Sequence, residues 1–132
     1  MVEISKDSKT VLIVEDDIFL SNLLTTRLKK DGVNVLKAGD GEEALDMLRK
    51  NKPDLMTLDI IIPKKSGFEV LEEMRADSML KDTATIVVSN LGQEADIARA
   101  KNLGALSYFI KAQVSIDEIV ARIKAYLEKG TV

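Results

Sequence analysis

Short runs of β-branched and aliphatic residues alternate along this chain with longer stretches whose apolar residues recur at helical spacing. The short runs lie at 11–14, 33–36, 55–58, 85–88 and 106–110. Most of them lack polar alternation, which is typical of strands covered on both faces. In the first helical stretch, Leu20, Leu24 and Leu28 recur every four residues. Leu23 is expected to widen this apolar stripe.

Start and stop signals support this division into strands and helices. Three capping boxes are expected to open helices: Asp40-x-x-Glu43, Ser66-x-x-Glu69 and Ser115-x-x-Glu118. Glycines that are expected to close helices are Gly32, Gly104 and Gly130. Because parallel neighbours need a crossover connection, strict alternation predicts a parallel sheet with helices on both faces. The predicted fold is α/β: a flavodoxin-like, doubly wound, five-stranded parallel sheet of order 2-1-3-4-5 with five helices.

The chain contains neither histidine nor cysteine, and this narrows the chemistry available to it. A catalytic triad with histidine, a thiolate nucleophile, a disulfide and a His/Cys zinc site are all excluded. A net charge of −3 disfavours general electrostatic binding of nucleic acid. Any chemistry must therefore use carboxylates, hydroxyls and lysine.

The length of 132 residues predicts a single domain, over residues 10–130, with no effector domain. Residues 1–9 are expected to form a flexible N-terminal extension, and residues 131–132 a loose end. No apolar stretch approaches the roughly 18 residues that a membrane span needs, and no signal peptide is visible. We therefore expect a cytoplasmic protein with no membrane insertion and no direct nucleic-acid partner.

Polar residues stand at the ends of four of the five predicted strands. In chain order they are Glu15, Asp16 and Asp17, then Asp59, then Ser89 and Asn90, and finally Lys111. Ligands of open, doubly wound sheets bind beyond the carboxyl ends of the strands. These side chains are therefore expected to converge on one rim of the sheet.

Three carboxylates on this rim, from Glu15, Asp16 and Asp59, predict a Mg²⁺ site. Carboxylates that lie close together repel one another, and their ionised form is costly without a cation. Mg²⁺ prefers oxygen ligands and commonly binds through one or two carboxylates, waters and a substrate phosphate. The simpler interpretation of Asp17 is that it caps the first helix.

Lys111 and Ser89 gain roles from their place beside the carboxylates. A lysine supplies a point charge that suits a phosphoryl group, and a serine hydroxyl donates over a short distance. Taken singly, each is more simply a solvated loop lysine or a strand-end serine. Their common rim with the acidic residues favours a site.

The polar rim, together with a proline and a glycine after the third strand, resembles the receiver domain of two-component response regulators. The matching positions are Glu15, Asp16, Asp59, Pro63, Gly67, Ser89 and Lys111. The likeness covers nearly the whole chain. It implies a single-domain regulator whose Asp59 accepts a phosphoryl group from a partner histidine kinase or phosphotransfer protein, as an acyl phosphate. A downstream target protein would be its second partner.

The resemblance also implies which residues bind the metal ion and which residue pairs with the phosphoacceptor, Asp59. Glu15, Asp16 and Asp59 hold Mg²⁺. The backbone carbonyl of Ile61 is a further ligand of the ion. Lys111 pairs with Asp59 at rest and with the phosphoryl oxygens afterwards.

The same resemblance assigns a switch to two further residues. Ser89 is the switch hydroxyl, and it moves to donate to the new phosphoryl group. The loop after the fourth strand moves with Ser89. Tyr108, which takes the position of the switch aromatic, then turns inward. The surface that changes is that of the fourth helix, the fifth strand and the fifth helix. A simpler interpretation of Tyr108 is a strand-end aromatic whose hydroxyl faces water.

Three departures from the family pattern affect these expectations. Ala112 stands where the family usually has a proline after Lys111. Because a non-proline cis bond costs about 2.5–4 kcal/mol, we expect a trans bond and a rearranged loop there. Asn90 replaces the usual small residue after the switch hydroxyl and is expected to hinder the attacking water. Ile61 and Leu91 are apolar and cannot orient that water, so we expect slow loss of the phosphoryl group.

Two other functions remain open. One is a receiver-like interaction module that is not phosphorylated in use, which the retention of every key position disfavours. The other is an aspartate-nucleophile phosphatase, but those enzymes usually carry a second aspartate where this chain has Ile61. We therefore expect no enzyme activity beyond the protein's own phosphorylation and dephosphorylation. Ile18 and Phe19, in the first helix, are candidates for kinase selectivity, with core packing and helix capping as the simpler alternatives.

Overall fold

The computed structural model of the protein describes residues 8–130. Five strands alternate there with five α-helices, and a 3₁₀ turn precedes the last helix. Most of the predicted flexible extension over residues 1–9 lies outside the described residues, as does the predicted loose end at 131–132. None of the described helices has the length and apolar character that crossing a membrane requires.

The strands form one parallel sheet whose order, 2-1-3-4-5, is the predicted one. In chain order they are β1 (Thr10–Val14), β2 (Asn34–Ala38), β3 (Leu55–Leu58), β4 (Ala84–Ser89) and β5 (Ser107–Ile110). β2 runs further than predicted because its pairing with β1 continues to Ala38, opposite Val14. β5 begins one residue later than predicted, where Ser107 pairs with Ile86.

The three helices predicted to open with a capping box begin directly after Asp40, Ser66 and Ser115. The five helices are α1 (Ile18–Lys30), α2 (Gly41–Asn51), α3 (Gly67–Ala76), α4 (Glu94–Asn102) and α5 (Ile116–Lys129). Ser66 and Ser115 form reciprocal capping boxes, as predicted. The box predicted at Asp40 is wrong in one half, because the Glu43 carboxylate accepts from the N–H of Gly39 instead of Asp40. The three glycines expected to close helices all have positive φ.

Apolar clusters cover both faces of the sheet. One cluster draws its helical residues from α2, α3 and α4, and the other from α1 and α5. Leu24 and Leu28 of the predicted α1 stripe are buried, and Leu20 is partly buried. The prediction that Leu23 widens this stripe is wrong, since its side chain is 39% exposed. One residue turns a helix by about 100°, which carries Leu23 away from the core.

Two glycines allow the segment after β3 to run close to neighbouring backbone. A Cβ on Gly67 would lie 2.6 Å from the carbonyl oxygen of Asp59. The N–H of Gly67 donates to the Ile60 carbonyl at 2.9 Å. A Cβ on Gly41, at the start of α2, would clash with the backbone of Lys65. These two close backbone contacts fix the position of the segment that begins at Asp59.

Candidate functional site

β1 and β3 are neighbours in the sheet, and a carboxylate follows each of them. The N–H of Glu15 donates to the Ala38 carbonyl at 3.0 Å, and the N–H of Asp59 donates to the Val14 carbonyl at 3.0 Å. These bonds extend the sheet by one residue and fix both acids on the same rim. Glu15 and Asp59 are only 6% and 4% exposed, whereas Asp16 is exposed.

The three predicted carboxylates come together on this rim. Oxygen atoms of Glu15, Asp16 and Asp59 all lie within 4.8 Å of one another. Hard oxygen donors at this separation are the ligand type that Mg²⁺ prefers, so these residues fit the predicted ion. The N–H of Ile61 donates to Asp59 Oδ1 at 3.0 Å and orients that carboxylate. The role of the Ile61 carbonyl as a ligand stays a prediction.

Lys111 joins the two buried carboxylates. Its Nζ lies 2.6 Å from Glu15 Oε1 and 2.6 Å from Asp59 Oδ2. Burial raises the pKa of Glu15 to about 7, although the hydrogen bond from Lys111 opposes this. Burial lowers the pKa of Lys111, but its hydrogen bonds to Asp59 and Glu15 outweigh that effect, and the net pKa is raised. Two carboxylates share this ammonium and the carboxylate of Asp16 lies close to both, so the site attracts a further cation.

Ser89 and Tyr108 meet at the loop after β4. Ser89 is fully buried, and its Oγ accepts from the N–H of Leu91 at 3.3 Å. The Tyr108 hydroxyl donates to the Leu91 carbonyl. Burial, together with the negative charge of Asp96, raises the pKa of Tyr108. The Tyr108 hydroxyl therefore contacts this loop, whereas its inward turn on phosphorylation stays a prediction.

Two of the residues that depart from the family pattern form a pair. The N–H of Ala112 donates to Asn90 Oδ1 at 3.1 Å. The described residues contain no cis peptide bond, so the bond between Lys111 and Ala112 is trans, as predicted. The loop at this bond is a 3₁₀ turn, Lys111–Gln113. The sequence predicted Asn90 at the mouth of the site but not its hydrogen bond to Ala112. The signal in the sequence was that both residues depart from the family pattern.

The start of α1 lies beside this pair. Asp17 Oδ1 accepts from the N–H of Phe19 at 3.0 Å, so the capping interpretation of Asp17 is confirmed. Ile18 and Phe19 are 75% and 74% exposed, which excludes core packing for both. Phe19 shares an open groove with Asn90 and Ala112.

Residues 11–124 match the response regulator receiver domain family. The chain belongs to this family. The matched segment runs from β1 into α5, so the resemblance inferred from the rim residues is confirmed for nearly the whole receiver domain.

A curated relative of this receiver domain is the probable transcriptional regulator ycf27 of Guillardia theta. The two are 41% identical over 119 residues, which cover 90% of this chain and 45% of that protein. The chain spans about half the length of the curated relatives it matches first. Since these relatives are described as transcriptional regulators, the expectation of no nucleic-acid partner is not supported.

Solved structures confirm the predicted fold class. The phosphorylated cyanobacterial phytochrome response regulator RcpA matches with a TM-score of 0.83 at 29% identity, over 95% of this chain and 97% of that one. The Mn²⁺-bound form of response regulator Rcp1 matches with a TM-score of 0.81 at 27% identity, over 94% and 97%. Receiver domains with this fold therefore include one that carries a phosphoryl group and one that holds a divalent ion.

Proposed function

We propose that this receiver domain accepts a phosphoryl group on Asp59 in a Mg²⁺-dependent reaction and thereby switches a protein-binding surface. The proposal depends on one observation above all. The Asp59 carboxylate is buried beside Lys111, 2.6 Å from its Nζ, on a rim that also carries Glu15 and Asp16. A fixed carboxylate nucleophile, an ammonium group and two further acids are the parts that phosphoryl transfer to a carboxylate needs. The phosphorylated state of the similar RcpA supports it.

The proposed transfer starts from a phosphohistidine outside this sequence, which contains no histidine. An Asp59 oxygen attacks the phosphorus. A P–O bond forms, the P–N bond breaks, and its electron pair stays on the imidazole nitrogen. Lys111 moves from the carboxylate to the phosphoryl oxygens. Mg²⁺, held by Glu15, Asp16 and Asp59, would supply positive charge against the transferring group.

The proposed switch follows from the new charge. A phosphoryl group adds about −1.5 to −2 charges and strong acceptor oxygens. Ser89 would turn its hydroxyl towards this group and release the N–H of Leu91, which it now accepts at 3.3 Å. Because Tyr108 is bonded to the Leu91 carbonyl, the movement would reach β5. The altered surface in this proposal is the face of α4, β5 and α5.

The proposed partners are a histidine kinase or phosphotransfer protein and a downstream target protein. The exposed Ile18 and Phe19, next to the rim, support a kinase-docking role for the start of α1. In this proposal the protein catalyses only its own phosphorylation and dephosphorylation. The cytoplasmic location and the slow loss of the phosphoryl group stay predictions.

The test is to incubate the protein with Mg²⁺ and a small acyl phosphate and to measure its intact mass. We expect one phosphoryl adduct, which requires Mg²⁺ and is absent from Asp59→Asn. Asp82→Asn is a matched control, because Asp82 is an exposed acid in the loop before β4. This variant should load as the unaltered protein does.

Other outcomes would contradict the proposal. No adduct on the unaltered protein, from the small donor or from a kinase, would favour the interaction module that is not phosphorylated in use. Continuous release of phosphate from an organic ester would favour the phosphatase. An adduct that persists in Asp59→Asn would place the phosphoryl group on another residue.

A further inference from the structure

Three successive residues at the end of β4 and in the loop after it form hydrogen bonds, and two of these bonds reach other segments. Ser89 Oγ accepts from the N–H of Leu91 at 3.3 Å. The Leu91 carbonyl accepts from the Tyr108 hydroxyl. Between these two residues, Asn90 Oδ1 accepts from the N–H of Ala112 at 3.1 Å. Among residues 8–130, Asn90 is the residue of this loop whose side chain accepts a hydrogen bond from the turn that carries Lys111.

The turn that follows β5 is held by the two ion pairs of Lys111, and its other two residues are exposed. None of its residues, Lys111–Gln113, is buried, and no side chain caps it. Its first residue nevertheless has to hold an ammonium group 2.6 Å from both Glu15 and Asp59. Ordering an exposed turn costs conformational entropy, and a further contact that restrains the turn reduces the entropy lost when the ammonium group is positioned.

We propose that Asn90 is a positioning residue for phosphoryl transfer, which acts through the N–H of Ala112 to hold the Lys111 turn against the Asp59 site. The bond exists because residue 112 is not a proline, which has no N–H to donate. The side-chain amide of Asn90 thus restrains the turn at the same peptide unit where a proline ring would restrain it. This inference rests on the proposed function of Asp59.

The bond between Asn90 and Ala112 can be removed while residue 90 keeps a side chain of the same branched shape. Asn90→Leu keeps a side chain of similar size at the mouth of the site but lacks the acceptor, whereas Asn90→Asp keeps the acceptor. Asn90 is exposed, so neither change disturbs the core. A net hydrogen bond corresponds to about a five-fold change in an equilibrium or rate.

The first measurement is the rate of hydrogen exchange of the Ala112 amide. It is monitored by NMR in the absence of any phosphoryl donor. We expect exchange to be about five-fold faster in Asn90→Leu than in the unaltered protein, and close to unaltered in Asn90→Asp. Thermal unfolding should be the same for all three proteins. Equal exchange at Ala112 in Asn90→Leu and the unaltered protein would overturn the proposal.

The second measurement is the initial rate of Asp59 phosphorylation by a small acyl phosphate with Mg²⁺. We expect phosphorylation to be about five-fold slower in Asn90→Leu than in the unaltered protein. In an Ala112→Pro background, where residue 112 has no N–H to donate, Asn90→Leu should not slow phosphorylation further. An unchanged or faster rate in Asn90→Leu would overturn the positioning role, because it would mean that residue 90 acts only as a barrier at the site mouth. If the unaltered protein loads no phosphoryl group, the proposed function fails, whereas the exchange at Ala112 still decides whether the bond restrains the turn.

Discussion

Lys111 shares one ammonium group between two buried carboxylates, and this sharing sets the electrostatics of the rim. Its Nζ is 2.6 Å from an oxygen of each. Burial nevertheless raises the pKa of Glu15 to about 7. The residue that would help to hold Mg²⁺ therefore titrates near neutral pH in the metal-free protein, and deprotonation prepares it for the ion.

This pKa predicts how the stability of the metal-free protein depends on pH. Between the ordinary value of 4.5 and about 7, Glu15 binds a proton in the folded protein but not in the unfolded chain. The folded state binds more protons there, so the contribution of Glu15 to the free energy of unfolding decreases as pH rises through this interval. Glu15→Gln should remove that contribution, as measured by urea unfolding in a chelator.

A variant at an exposed acid provides the control for this measurement. Asp82→Asn should leave the pH dependence as it is in the unaltered protein, since Asp82 lies in an exposed loop. The assignment to Glu15 would be contradicted if Glu15→Gln kept the same decrease in stability across the interval.

At the scale of elements, the segment between β3 and α3 is shaped by close backbone contacts. Gly67 is the first residue of α3, and a Cβ there would lie 2.6 Å from the Asp59 carbonyl oxygen and 2.7 Å from Ile60 Cα. Both neighbours are backbone atoms and cannot turn aside as a side chain would. The start of α3 and the position of Asp59 are thus one structural unit.

Gly67→Ala should therefore destabilise the protein by about 1–3 kcal/mol, the usual cost of overpacking. Moving the Asp59 backbone should also slow phosphorylation by an acyl phosphate. Gly39→Ala is the matched control, because a Cβ at Gly39 meets nothing within 4 Å. Its effect on the free energy of unfolding should stay within about 0.5 kcal/mol. Equal stabilities of the two variants in urea titrations would contradict this account of Gly67.

At the scale of the whole molecule, the parallel sheet is a platform with two different ends. Apolar clusters on both faces hold the strands in place, and four of the five strand ends place polar residues at the same rim. A ligand bound to this rim contacts residues that follow separate strands, so it stabilises the folded arrangement and has no equivalent site in the unfolded chain.

Mg²⁺ should accordingly raise the free energy of unfolding by mass action. The increase is about 2.7 kcal/mol at an ion concentration 100 times the dissociation constant, and a chelator should reverse it. Asp16→Asn should abolish the response without harming the fold, since Asp16 is exposed, whereas Asp82→Asn should retain it. A full Mg²⁺ response in Asp16→Asn, seen by thermal unfolding, would remove Asp16 from the ion site.

Much of the fold and of the site could be predicted because their signals are local. A short apolar run followed by a helical stretch can be recognised from a few residues. Strict alternation of strands and helices along the chain predicts parallel pairing of the strands. The carboxyl ends of parallel strands meet on one rim, so Glu15 and Asp59 were expected together as soon as their strands were placed. The cap at Asp17 and the trans bond before Ala112 are also local, and both predictions are confirmed.

The sequence by itself therefore determined the strand order, the helical layers and the acidic rim, whose causes lie within each element and its ends. Only the tertiary structure decided that Asn90 bonds to Ala112 and that the Tyr108 hydroxyl contacts Leu91. The two bonds join residues that are 22 and 17 positions apart, on loops or strands whose relative direction no local pattern encodes. A side chain selects its partner among the groups that the completed sheet brings within its reach, and that set exists only after β4 and β5 have paired.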